Sequence, residues 1–438
     1  MQFTEDQIAF RDTLKRFIDK EVVPIADEVD RNDRFPAELV PKFGDMGLLQ
    51  LRLPEEYGGP GANLTTVCIA AEEFAKVSES IALISGQNGI AMIVPLMQFG
   101  NEEQRQRFFP EVAKGRMMTA VAITEPQSGS DVGSMKTRAV RDGNGSYVLN
   151  GEKCFITFAP VADYILVFAR IGDVGGSTRN ISAFIVDAKS AGVTIGKNER
   201  KLGLNGIPNA PVYLENVKVP VENLVGEEGD GFKISMRILD MNRPTIGAVS
   251  VGLAQGALDA AVKYAKERRQ FGKAIAEFQG LQFMLADMAM NIEAARSLVY
   301  DCAGIADAGF ESDAAFRSFS AKASMAKCFA SDMAMKVTTD AVQIFGGYGY
   351  MRDYPIEKYM RDAKITQIYE GTNQVQRLVV ARNLVKETNA LTQLLDAYIP
   401  REVQIGYNDP ETLKRLAEDA KRLAEETAGA LDVPSHQS

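Results

Sequence analysis

Only one histidine, His436, is present in the 438 residues, and it stands third from the end. Four cysteines, Cys68, Cys154, Cys302 and Cys328, lie far apart with no CxxC among them. This removes most metal sites, the serine and cysteine triads, and histidine acid–base chemistry. Proton transfer then falls to carboxylates, tyrosine, lysine or a bound cofactor. The stretch Ile368-Tyr369-Glu370-Gly371-Thr372-Asn373-Gln374 places one carboxylate at a break in helical pattern, and Val375, Leu378, Val379 and Leu384 resume the pattern after it. A glutamate just ahead of a helix can stand at a pocket wall, and Gly371 lets a ligand approach the backbone. An acid that only complements the helix dipole would sit there equally well, so the local sequence leaves both readings open.

The second such stretch is TEPQSGSDVGS, Thr124 to Ser134, too rich in Gly, Ser and Pro for regular structure. Its backbone N–H groups and hydroxyls could lie close to a flat, polar-edged ligand or a pyrophosphate, although a plain surface loop has the same composition. Arg268, at the end of a long helical pattern, suits either a phosphate or the helix dipole. No GxGxxG follows a strand and no GxxxxGK is present, which argues against Rossmann and P-loop sites.

These residues need a scaffold. From Thr4 to about Arg116 the pattern is helical, with stripes Phe10, Leu14, Phe17, Ile18 and Leu39, Phe43, Met46, Leu49. The apolar run Ile81 to Phe99 is broken by Gln87, Asn88 and Pro95 and reads as a buried helix rather than a membrane span. Short strands follow at 118–124, 137–141, 146–149, 155–157, 164–169, 181–186 and 212–219, and they predict a compact antiparallel, barrel-like β domain. Long helices over 232–270, 281–306 and 313–344, faced with Ala and Met, predict a bundle. Tyr354 to Thr366 reads as irregular and charge-bearing. The chain is thus mainly α with a central β domain: a helical domain over 1–120, a β domain over 121–230, a four-helix bundle over 231–395 and a helical tail over 396–438. In the tail, Leu413, Leu416, Ala420, Leu423 and Thr427 recur at helical spacing.

Composition is that of an ordinary globular protein, and the net charge of −9 argues against nucleic-acid or anionic-membrane surfaces. The start, MQFTEDQIAF, shows no apolar signal core. With dispersed cysteines, this predicts a reducing compartment: the bacterial cytoplasm, or the mitochondrial matrix for a mature form.

Seven segments in order then resemble one family: PEEYGG at 54–59, AITEPQSGSD at 122–131, FIT at 155–157, LDMNR at 239–243, YAKERRQFGK at 264–273, QIFGGYGY at 343–350 and IYEGTNQVQR at 368–377. They are similar to those of the acyl-CoA dehydrogenases, flavoproteins that introduce an α,β double bond into CoA thioesters, and the similarity runs from Phe3 to about Lys386. It implies FAD, an acyl-CoA substrate, an electron-transfer flavoprotein as acceptor, a homotetramer, and no metal, nucleic acid or membrane insertion. It implies that Ala122, Ile123, Thr124, Gly129 and Ser130 line the flavin, that Thr124 and Thr157 bond its ring, and that Phe155 covers one face. Arg268 and Gln270, with Phe271 and Gln279, would take the phosphate and adenosine side. Gln343, Gly346 and Gly347 would reach the flavin of a neighbouring subunit, and Thr372 and Gln374 would close the pocket. Glu370 would remove the α-proton as hydride passes to the flavin, with the thioester carbonyl polarised by the Glu370 N–H and a ribityl hydroxyl. Ser130, Asp240, Arg243, Tyr369 and Gly371 would meet the substrate. Some relatives carry the base just before the arginine of the LDxxR segment; here that residue is Asn242, which leaves Glu370.

The resemblance also covers acyl-CoA oxidases and decarboxylating or desulfinating enzymes, while a flavin-free helical binding protein is the rival of another class. Two segments depart from the family pattern, Phe158-Ala159-Pro160 and Ile207-Pro208-Asn209-Ala210-Pro211. Ser85 to Leu96 is expected to line the acyl pocket, where Gly86, Gly89 and Ala91 leave room.

Overall fold

The structure is a computed structural model that describes residues 3–172, 177–398 and position 418, with the side chains of 387–398 left out. The expected tail over 396–438 lies almost wholly outside the described residues, as does His436. Contacts divide the chain into two units, 1–380 and 381–438.

The first helices are α1 (Glu5–Phe17), α2 (Val23–Asn32) and α3 (Leu39–Asp45), followed by α4 (Leu64–Ala75), α5 (Glu79–Asn88), α6 (Val94–Phe99) and α7 (Glu102–Ala113). Their starts follow from side-chain chemistry. Thr4 and Gln7 form a reciprocal cap on α1, as Asn101 and Gln104 do on α7, and Asn63 caps α4. Helices α5 and α6 are joined through a π turn, Gly89–Ile93, just ahead of Pro95. Pro95 has no N–H to return to the preceding turn, and such wide turns are common at functional sites. Asn88 then anchors this segment to the sheet: its Nδ2 donates to the Met117 carbonyl and its Oδ1 accepts from Thr119, both at 2.8 Å.

Eight strands follow: β1 (Thr119–Ala122), β2 (Arg138–Arg141), β3 (Ser146–Thr157), β4 (Tyr164–Ile171), β5 (Ile181–Asp187), β6 (Val193–Ile195), β7 (Asn209–Pro220) and β8 (Leu224–Val225). They run in the order β6-β7-β3-β2-β4-β5-β8, with β1 also on β4. The sheet is mixed where turn signals alone suggest antiparallel pairing, because β1 and β2 both lie parallel to β4. The loop 123–137 therefore leaves one strand and rejoins the same edge of β4 in the next. The expected strands 146–149 and 155–157 are one strand with two register shifts against β7, after Leu149 and after Lys153.

The third layer is α8 (Gly231–Glu267), a short hairpin of β9 (Arg269–Gln270) and β10 (Lys273–Ala274), then α9 (Gln279–Asp307), α10 (Asp313–Phe345), α11 (Ile356–Thr366) and α12 (Asn373–Tyr398). Helix α8 packs on α4, α9 and α10. Small residues allow this: a Cβ on Gly252 would stand 2.3 Å from the Glu72 carbonyl oxygen, and one on Gly256 2.2 Å from that of Lys76. The segment expected to be irregular, 354–366, forms α11 instead. Its charges are i,i+4 partners, Lys358 with Asp362 at 2.5 Å and Arg361 with Glu357 at 2.5 Å, and Arg361 also reaches Asp30 at 2.7 Å. Glu79–Phe99 and Gly231–Glu267 are long and apolar enough to cross a membrane, yet 78% of each apolar window is buried within this fold.

Candidate active site

Glu370 sits in the turn between α11 and α12 with φ of 56°, a left-handed conformation unusual for a glutamate. The turn is held from behind. Lys327, fully buried on α10, donates to the Gly371 carbonyl and to Asn373 Oδ1, both at 2.9 Å. The Gln376 amide donates to the Glu370 and Gly371 carbonyls at 3.1 and 2.9 Å. Such strain persists only where surrounding bonds over-determine it. The carboxyl's Oε2 is buried without a hydrogen-bond partner. Burial raises the Glu370 pKa to about 7, against the opposing pull of Arg243, an Asn242 hydrogen bond and Lys327. The Glu370 backbone N–H finds no acceptor among the described residues. A poised carboxylate next to a free N–H can accept a carbon-bound proton while the N–H polarises an adjacent carbonyl.

Several expected contacts take a different form. The Tyr369 hydroxyl donates to the fully buried Glu79 at 3.0 Å, and burial raises the Glu79 pKa well above the usual carboxyl range. Arg243 is buried in a pair with Asp240 and donates to Ser324 at 3.1 Å, while its Nε is unpartnered. The Gly371 carbonyl is already taken by Lys327 and Gln376. Thr372 accepts from the Val375 N–H as a cap on α12, and Gln374 lies exposed on its first turn.

The 122–134 loop is anchored by an ion pair beneath it. Lys153 on β3, fully buried, donates to Glu125 at 2.8 Å and to the Ile123 carbonyl at 3.0 Å. Glu125 also accepts from the backbone of Lys136 and Thr137 at 2.5 and 2.9 Å. Burial alone would raise its pKa, but the Lys153 charge and these bonds hold it down at about 2. Above the anchor, Ala122 is buried, Ile123 and Thr124 are half-buried, and Gly129 and Ser130 are open. Phe155 stands at the second register shift with φ of 59°, which turns its ring outward to 66% exposure. The Thr157 hydroxyl accepts from Asn209 at 3.1 Å and keeps its own hydrogen to donate. An open aromatic face beside a hydroxyl donor and a Gly/Ser backbone fits a flat, polar-edged ring such as a flavin.

A second set of expected residues lies together elsewhere. Arg268, Gln270 and Phe271 share a cleft of about 640 Å³ with Gln343, Gly346 and Gly347, and Arg268 lies 5.2 Å over the Tyr348 ring. Neither the loop residues nor Phe155 nor Thr157 line this cleft, and Gln279 is exposed at the first residue of α9 outside its lining. The sequence reading assigned only 343–347 to a neighbouring subunit's cofactor. The shared cleft places Arg268, Gln270 and Phe271 beside those residues.

Ser85, Gly86 and Gly89 do line a common cavity, along with Arg52 and Asn242; Ala91 is buried but does not. The two departures from the family pattern are one packed feature: the Phe158 N–H donates to the Pro208 carbonyl at 2.8 Å, and Phe158 and Ile207 are buried in the same core. Sequence reasoning missed Lys327, Gln376, Glu79 and Arg52. For Lys327 a signal existed, a single lysine in the small-residue face Ala323, Ala326, Ala330, Ala334. All four cysteines are free and buried, and no cluster of metal-ligating side chains occurs among the described residues.

Three family profiles cover the chain: acyl-CoA dehydrogenase N-terminal domain over 4–116, middle domain over 120–217 and C-terminal domain over 229–385. An acyl-CoA dehydrogenase of Bacillus subtilis is 45% identical over 388 residues, 89% of this chain and 100% of that protein. The caffeyl-CoA reductase-Etf complex subunit CarC of Acetobacterium woodii is 43% identical over 389 residues, 88% of this chain and 100% of that one. Among solved structures, butyryl-CoA dehydrogenase from Megasphaera elsdenii matches with a TM-score of 0.84 at 40% identity, over 88% of this chain and 99% of that one. An acyl-CoA dehydrogenase complexed with FAD from Bacillus anthracis matches at 0.82 and 34% identity, over 89% and 68%.

Proposed function

This chain belongs to the acyl-CoA dehydrogenase family, oxidoreductases that bind FAD, and from that premise we propose that it oxidises an acyl-CoA to the 2-enoyl-CoA with Glu370 as base. The observation that carries the reading is the unpartnered, buried Oε2 of Glu370, on a carboxyl whose pKa is raised to about 7. Near neutrality such a group is ionised in a useful fraction and basic enough to take a weakly acidic α-proton. Lys327 and Gln376 hold the turn that carries Glu370, whose own N–H would polarise the thioester carbonyl. Asn242 helps draw the carboxyl's pKa down and cannot itself act as base. FAD, when bound, accepts the β-hydride. Thr124, Thr157 and Phe155 would hold its ring, and Arg268, Gln270 and the 343–347 segment its phosphate and adenosine side.

We assign electron delivery to an electron-transfer flavoprotein, on the likeness to a subunit of an Etf complex. The relatives named above are bacterial, so we assign the enzyme to the bacterial cytoplasm and drop the mitochondrial alternative. The test is anaerobic stopped-flow bleaching of the flavin by an acyl-CoA, with wild type and Glu370→Gln side by side. Glu370→Gln should retain FAD and slow bleaching by at least about 10²–10⁴-fold, the usual cost of a lost general base. Equal rates in the two proteins would remove Glu370 from the role.

A further inference from the structure

Glu79 is the first residue of α5, a place where an acid usually complements the helix dipole from the surface. Here the side chain is 0% exposed, and its Oε1 accepts from the Tyr369 hydroxyl at 3.0 Å. Its Oε2 is buried without a hydrogen-bond partner. The groups that act on it are Asp362 and Lys358 of α11 and Tyr369 itself. Burial, then the Asp362 charge, raises the Glu79 pKa against the Tyr369 bond and Lys358, so the carboxyl keeps its proton at neutral pH. Burial raises the Tyr369 pKa too, and Glu79 adds to it, so the phenol keeps the hydrogen it donates. A buried carboxyl with one idle oxygen costs stability that an apolar side chain of its size would not. Its use therefore lies in what the bond holds.

Tyr369 immediately precedes Glu370, whose left-handed φ of 56° needs support from outside the turn. Lys327 of α10 and Gln376 of α12 grip the turn, and the Gln367 amide donates to Asp332 of α10 at 2.6 Å. All of these come from the C-terminal helices. Among the described residues, the Tyr369–Glu79 bond is the one side-chain hydrogen bond that reaches the turn from the N-terminal helices. Further along α5, Ser85 and Gly86 line one cavity with Asn242, which hydrogen-bonds Glu370. We propose that Glu79 is a positioning residue for proton abstraction: by holding the Tyr369 hydroxyl, it fixes how the Glu370 carboxyl is presented to the substrate. This rests on Glu370 being the base and adds a residue that acts through Tyr369. Glu79 is absent from the influences that set the Glu370 pKa, so its contribution is one of geometry. A base displaced by about 1 Å can lose on the order of 10²-fold in rate.

The test uses holoenzyme with butyryl-, hexanoyl- and 3-phenylpropionyl-CoA. Anaerobic stopped-flow gives the limiting bleaching rate across a pH series, and calorimetry gives the Kd of redox-inert S-hexyl-CoA. Glu79→Leu should lower the limiting rate by on the order of 10–10²-fold, with FAD content, thioether Kd and the pH midpoint unchanged. Glu79→Gln, which keeps a neutral acceptor for the phenol, should restore most of the rate. Tyr369→Phe, which removes only the hydroxyl, should be as slow as Glu79→Leu, and the double variant no slower, since one bond is lost in each. If Glu79→Leu fails to fold, Tyr369→Phe and Glu79→Gln decide. A full limiting rate in Tyr369→Phe, additive losses in the double variant, or a shifted midpoint overturns the positioning role and leaves Glu370 as base. Wild type bleached by none of the three thioesters, or Glu370→Gln bleached as fast as wild type, overturns both.

Discussion

Four influences meet on one carboxyl at Glu370. Burial raises its pKa to about 7, while Arg243, the Asn242 hydrogen bond and Lys327 each pull it down. For a base the ionised form is the active one, so bleaching should accelerate as pH rises and level off above about 7. Removing Lys327 removes one of the downward influences, so Lys327→Met should move that midpoint to higher pH. Lys327 is itself depressed to about 8 by burial, so in the wild type its charge is progressively lost above that pH. A pH series of the bleaching rate reads both effects, and a midpoint that stays put or falls in Lys327→Met would exclude the lysine from tuning the base. The motif IYEGTNQ was enough to single out Glu370, but not to reveal its environment. Lys327 lies 44 residues before Gly371 and arrives through the packing of α10, and Glu79 arrives at the start of α5. Such long-range neighbours leave no mark in a local pattern.

Between elements, the closest approach is that of α8 to α4. Gly256 faces the Lys76 carbonyl, and that carbonyl also accepts from the Tyr359 hydroxyl of α11 at 2.6 Å. Three helices are thus drawn to one point where even a methyl group has no room. Gly256→Ala should cost about 1–3 kcal/mol, as overpacking does, lowering the denaturant midpoint without changing the slope. A variant of wild-type stability would mean that α4 and α8 can separate freely. The small-residue face that makes this approach possible was visible in the sequence, as were the three long helices, because a 3.6-residue period repeats many times in each. Helix α11 was hidden by its own charges: Lys358, Asp362, Glu357 and Arg361 look solvated until they are seen as i,i+4 pairs partly buried against Asp30. Strands β6 and β8, of three and two residues, are too short to carry a period. The parallel placement of β1 and β2 on β4 depends on where loop 123–137 returns, which alternation of side chains does not encode.

Across the whole molecule, the residues expected to hold one cofactor occupy two separate places. Loop 122–134, Phe155 and Thr157 form one; the cleft with Arg268, Phe271 and 343–347 forms the other. Around the second, Phe271 is 93% exposed and Tyr350 81%, and α9 nearby carries exposed Phe283 and Met290. Apolar side chains displayed this openly mark an association surface. We therefore expect a homotetramer in which the cleft of one subunit completes the cofactor site of another. Assembly and FAD binding are then linked by mass action, each strengthening the other. Arg268→Ala should weaken FAD retention by on the order of 10–100-fold through loss of a charge-assisted phosphate contact, while subunits that keep FAD bleach at a near-normal rate. Phe271→Asp, which puts a charge on the exposed surface without touching the 122–134 loop, should give smaller species in light scattering and lose FAD in parallel, with far-UV circular dichroism unchanged. Removing FAD from the wild type should raise the concentration at which it dissociates. A Phe271→Asp protein that is monomeric yet holds one FAD per chain as firmly as wild type would show that each subunit builds its whole site alone.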